Sequence, residues 1–87
     1  MHERALLDDL MRKILEVSAA NGGARVTGVR VWLGALSHFT AEHFVEHFVD
    51  AAAGTVAEDA IVEATLDADP TDPRAQGVVL ESVELAR

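Results

Sequence analysis

Asn21-Gly-Gly-Ala-Arg-Val-Thr-Gly-Val-Arg-Val-Trp-Leu33 switches the chain from a helical hydrophobic period to a strand-like one. Asparagine and glycine tolerate the left-handed backbone that closes a helix, so Asn21-Gly22-Gly23 reads as a helix stop. From Arg25 to Leu33, Val29, Val31 and Leu33 alternate with Gly28, Arg30 and Trp32, the pattern of a half-buried strand. Trp32 shares a face with Arg30. It either covers the second face of the sheet or is an exposed contact for a partner.

Upstream of the stop, residues 3 to 20 predict a helix. Leu6, Leu7, Leu10, Ile14 and Val17 form its apolar stripe with Met11 at the margin, while Asp8, Asp9, Arg12, Lys13 and Glu16 take the other side. Glu3, Asp8 and Asp9 lie toward its start, where negative charge suits the helix dipole. Downstream, residues 34–39 predict a loop and Thr40 an N-cap for a second helix, Ala41–Ala53, closed by Gly54. Phe44, Val45, Phe48, Val49 and Ala52 form its buried stripe, opposite His43, Glu46, His47 and Asp50.

Ala60–Ala68 predicts a second strand with Val62, Ala64 and Leu66 on one face. Residues 67–77 hold both prolines and read as a polar loop. Val78–Leu85 is the last strand, with Val79, Val83 and Leu85 alternating against Leu80, Ser82 and Glu84. The expected fold class is α+β: one small domain in the order α-β-α-β-β, a three-stranded sheet with two helices packed on one face.

The length of 87 residues and the hydrophobic fraction of 49% support one modest core. No apolar run approaches the roughly 18 residues of a membrane span, and acidic residues interrupt residues 1–10 where a signal peptide needs an apolar core. The expected compartment is the cytoplasm. With no cysteine, disulfides, thiolate catalysis and cysteine-ligated zinc are excluded. A net charge of −8, with seven scattered Lys and Arg, opposes nucleic-acid binding.

Met1-His2-Glu3 carries the most specific chemistry. A free α-amine, the backbone nitrogen of residue two and an imidazole close two fused chelate rings on one ion. That donor set suits the square-planar preference of Ni(II) and Cu(II), and Glu3 adds a carboxylate nearby. The plainer reading is a translation start that frays. His43-Phe-Val-Glu-His47 matches an H-x-x-E-H metallopeptidase pattern, but it lacks a third ligand and a substrate cleft. Adventitious metal binding by His43 and His47 needs only their spacing; a solvated polar face is the simpler reading. Nothing suggests an activated nucleophile or a phosphate-binding loop, so no enzymatic activity is expected.

Met1-His2-Glu3, the apolar helix, the strand Arg25–Leu33, the turn Gly34-Ala-Leu-Ser37, the Phe-rich helix closed by Ala53-Gly-Thr55 and the final Leu80-Glu-Ser-Val-Glu-Leu85 together resemble the HypA/HybF nickel metallochaperones. The resemblance covers nearly the whole chain and implies a single HypA-like nickel-binding domain over 1–87. Its metal residues would be Met1, His2 and Glu3, with His38 as a substitute ligand, and its ion Ni(II). It implies delivery of nickel to a nickel enzyme, foremost the large subunit of nickel–iron hydrogenase, together with a HypB-like GTPase. The chain departs from the family in three places. Loop 67–77 stands where the family inserts a four-cysteine zinc domain, so no structural zinc is expected. Thr40 occupies the place of an acidic ligand, and the usual Gly-Glu-Leu is Gly34-Ala-Leu36. The alternative function is a metal-free interaction module in hydrogenase maturation, with Trp32 as its anchor.

Overall fold

The computed structural model describes residues 2–37 and 39–86, and at residues 2 and 3 the backbone alone. Five elements follow in the order α1 (His2–Ala20), β1 (Val26–Leu33), α2 (Ala41–Ala52), β2 (Ile61–Leu66) and β3 (Val78–Leu85). The α-β-α-β-β order read from the sequence is the one observed, with both β2 ends one or two residues shorter than expected.

Local chemistry sets the ends of the helices. Gly22 and Gly23 adopt φ of 74° and 77° after α1. The Gly23 N–H reaches back to the Ser18 carbonyl at 2.8 Å, which satisfies an orphan acceptor of the last turn. Ser18, polar but buried, donates its hydroxyl to the Ala24 carbonyl at 2.6 Å and so ties the turn to the helix. Thr40 caps α2 as expected, its hydroxyl accepting the His43 N–H at 3.1 Å.

β1 is the central strand of the sheet, whose order is β2-β1-β3. β2 runs parallel to it, joined through α2, and β3 runs antiparallel. A parallel neighbour requires a crossover, and α2 supplies it. Both helices lie on the face carrying Val29, Val31 and Leu33, with α1 toward β3 and α2 toward β2.

The core differs from the sequence expectation at four points. Met11 is buried at the centre of α1's stripe, which runs through Leu7, Met11, Ile14 and Ser18, while Val17 is half-buried. In α2 only Phe44, Phe48 and Ala52 are fully buried; Val49 is 54% exposed, because the stripe is rotated toward α1. Leu66 ends an edge strand with a neighbour on one side only, and is half-exposed. In β3, Val78, Leu80, Val83 and Leu85 pack on the core, and Val79 lies opposite Trp32. The registers Arg30↔Ser82 and Val31↔Leu80 leave Glu81 as an extra residue in β3. Such a bulge exchanges the two faces of the strand beyond it.

Trp32 is half-buried on the sheet face away from the helices. The Arg74 guanidinium sits 4.5 Å from its ring centre. Of the two readings of Trp32, the structure favours a covered sheet face.

Candidate functional site

The strand order dictates what happens at one end of the molecule. β2 and β3 flank β1, so the segment joining them must cross the end of β1 where Leu33 leads into Gly34. Loop 67–77 makes that crossing and docks on the turn after β1. The Asp67 N–H donates to the Leu33 carbonyl at 2.9 Å, Gly34 N–H to Gly77 at 2.9 Å, and Leu36 N–H to Ala75 at 2.7 Å. Ala75 is buried although its loop reads as polar. A Cβ on Gly34 would come within 2.7 Å of the Arg74 carbonyl oxygen and closer still to that of Ala75. Glycine is therefore required there for close backbone approach.

The same turn fixes the entry to α2. Ser37 is fully buried; its N–H donates to the Gly34 carbonyl at 3.0 Å, and its hydroxyl faces the Phe39 N–H at 3.5 Å. Phe39, read from the sequence as a loop residue, is 5% exposed and meets Phe44 edge-on with ring centres 5.4 Å apart. Each short connection reverses the chain, so the first turn of α1, the 34–40 turn, the start of α2 and loop 67–77 share one end of the sheet.

Of the expected metal residues, Met1 and His38 lie outside the described residues, as do the side chains of His2 and Glu3. What is described is the backbone of His2 and Glu3 as the first turn of α1, and the burial of Ser37 and Phe39 on either side of position 38. Among the described residues no three His, Asp or Glu side chains converge as a metal cluster.

A second feature runs between the helices: an open groove of about 1070 Å³ with Leu7, Met11 and Phe39 among its apolar residues. His43 and His47 line it from α2, with Asp8 and Glu16 on the α1 side. The histidine flank of α2 thus faces a neighbouring helix across a groove rather than open surface. The position of α1 decides this, and nothing in α2's own period signals it.

Loop 67–77 is held by its own carboxylates. Asp69 accepts from the Thr71 hydroxyl at 2.6 Å and from its N–H at 2.9 Å. Asp72 accepts from the Arg74 N–H at 2.7 Å and from its guanidinium. These bonds hold both carboxyls below their ordinary value; for Asp69 the Thr71 hydroxyl is the larger cause, for Asp72 the Arg74 guanidinium.

No family model matches the chain. It is similar to the hydrogenase maturation factor HypA of Rhizobium leguminosarum bv. viciae, 33% identical over 63 residues, 72% of this chain and 56% of that protein. It is also similar to the hydrogenase maturation factor HypA of Thermococcus kodakarensis, 42% identical over 64 residues, 72% of this chain and 45% of that protein. The chain spans about half the length of these relatives. Both carry the name of a maturation factor and not of an enzyme, in keeping with a sequence that offers no catalytic constellation. Over nearly three quarters of its length the chain is HypA-like, a partial homologue of the hydrogenase maturation factors of that name.

Proposed function

We propose that this chain acts in hydrogenase maturation as a nickel carrier, holding Ni(II) at Met1-His2-Glu3 and surrendering it by ligand exchange to the apo-enzyme. The observation that carries the reading is the similarity to two proteins named hydrogenase maturation factor HypA, in a chain whose second residue is histidine. Nickel is cargo here, and lability at the holding site is a requirement of the task.

The local physics supports such a site. The first four N–H groups of an α-helix have no intrahelical acceptor. His2 lies in the first turn of α1, so its backbone nitrogen can be given to a metal without breaking a helical hydrogen bond. With a free amine at Met1 and the His2 imidazole, three nitrogens become available. Glu3 adds a carboxylate, and His38 would be a further imidazole ligand. In this reading the compact loop 67–77 takes the place of a zinc-binding insertion, so Ni(II) is the only metal required. The partners are the hydrogenase large subunit and a HypB-like GTPase.

The test is complementation of cells lacking this chain. Wild type restores hydrogenase activity and His2→Ala does not, unless excess nickel is supplied. Full activity with His2→Ala at limiting nickel would instead show that the terminal chelate is dispensable and favour a role as an interaction module.

A further inference from the structure

We infer a second, exchange-labile metal site in the groove between α1 and α2, formed by the imidazoles of His43 and His47 and suited to a borderline divalent cation such as Ni(II). It does not depend on the terminal chelate. Histidines four residues apart on a helix lie one above the other on the same face. Here α2 is 12 residues long and capped by Thr40, so its first turns are fixed. The two rings have centres 6.4 Å apart. A metal ~2.1 Å from a ring nitrogen lies about 3.2 Å from that ring's centre, so two rings on one ion stand up to about 6.5 Å apart. The observed spacing falls at that limit, and rotation of two exposed side chains closes it without moving the backbone.

The surroundings give the site its character. Both imidazoles line the groove, whose rim carries the carboxylates Asp8, Glu16 and Asp50 against the guanidiniums Arg4 and Arg12, so its charge balance at a cation's entrance is negative. No third His, Asp or Glu completes a protein-only cluster among the described residues. Two imidazoles displace two waters of the aqua ion, and the remaining positions stay with water or open to a donor from another molecule. Sites closed by four protein ligands hold structural metal, whereas open positions permit exchange. The groove pair therefore belongs with a transient ion.

The experiment separates this site from the terminal one. The full chain, extended at its N-terminus and carrying His2→Ala, is titrated with Ni(II) by calorimetry, alone and with His43→Ala or His47→Ala. The site predicts one equivalent bound in the parent and a loss of affinity of at least ~10-fold in either variant, the lower end of what removing even a supporting group of a metal site costs. Because the pair forms only on the helix, Ni(II) should also raise the melting temperature of the parent and not of the variants. Unchanged affinity in both variants, or no binding in the parent, would overturn the inference. The unextended chain with His43→Ala and His47→Ala reports separately on the terminal chelate.

Discussion

Gly34 and Ala75 touch backbone to backbone, and through that contact the loop joining β2 to β3 is seated on the turn that leads into α2. Gly34→Ala should unseat the loop, since the obstruction is main chain and not a flexible side-chain tip. Overpacking of this kind costs about 1–3 kcal/mol. Urea denaturation should show that loss. Amide exchange at Leu36, whose N–H donates to Ala75, should accelerate more than exchange at Val31 in the centre of the sheet.

The core ranks two residues of α2 that a helical stripe treats alike. Phe44 is fully buried and Val49 is 54% exposed. Phe44→Ala should cost about 3–5 kcal/mol; Val49→Ala should stay within about 0.5 kcal/mol, as for most surface substitutions. Equal losses in chemical denaturation would contradict the rotated stripe.

The single tryptophan reports on loop 67–77. Arg74→Ala removes the guanidinium from the Trp32 ring, an interaction worth about 0.5–1 kcal/mol at an exposed site. Acrylamide quenching of Trp32 fluorescence should rise and its emission shift to the red, with little change in far-UV circular dichroism.

Three carboxyls contribute to the acid limb of stability. Asp9 is held below its ordinary value of 3.8 by Arg12 and Lys13, Asp69 by Thr71 and Asp72 by Arg74. A group with a lowered folded-state value stabilises fully above its unfolded value and loses that contribution as pH falls through the folded one. Stability should therefore be flat near neutrality with respect to these groups and decline below 3.8. The destabilisation caused by Asp72→Asn, read from urea midpoints, should shrink over the same interval.

The helices, their stops and the order of elements were legible because each is written locally: a stripe, a Thr40 cap, glycines at Gly22, Gly23 and Gly54. The face of β3 was not legible. One extra residue at Glu81 reverses the alternation, and the bulge exists only relative to the register with β1. The role of Gly34 was hidden for a related reason, since Ala75 reaches it from forty-one positions away by crossing the sheet end. The groove face of His43 and His47 depends on where α1 lies. The proposed chelate of Met1, His2 and Glu3, by contrast, would use donors that are neighbours in sequence and need no tertiary partner.

The proposed nickel chelate is built on the amine of Met1, the backbone nitrogen of His2 and its imidazole. Ni(II) titration at neutral pH should compare the chain with a free Met1 amine, its His2→Ala variant and an N-terminally extended form, all three carrying His43→Ala and His47→Ala. Tight one-to-one binding is expected in the first alone. Equal affinity in all three would contradict it.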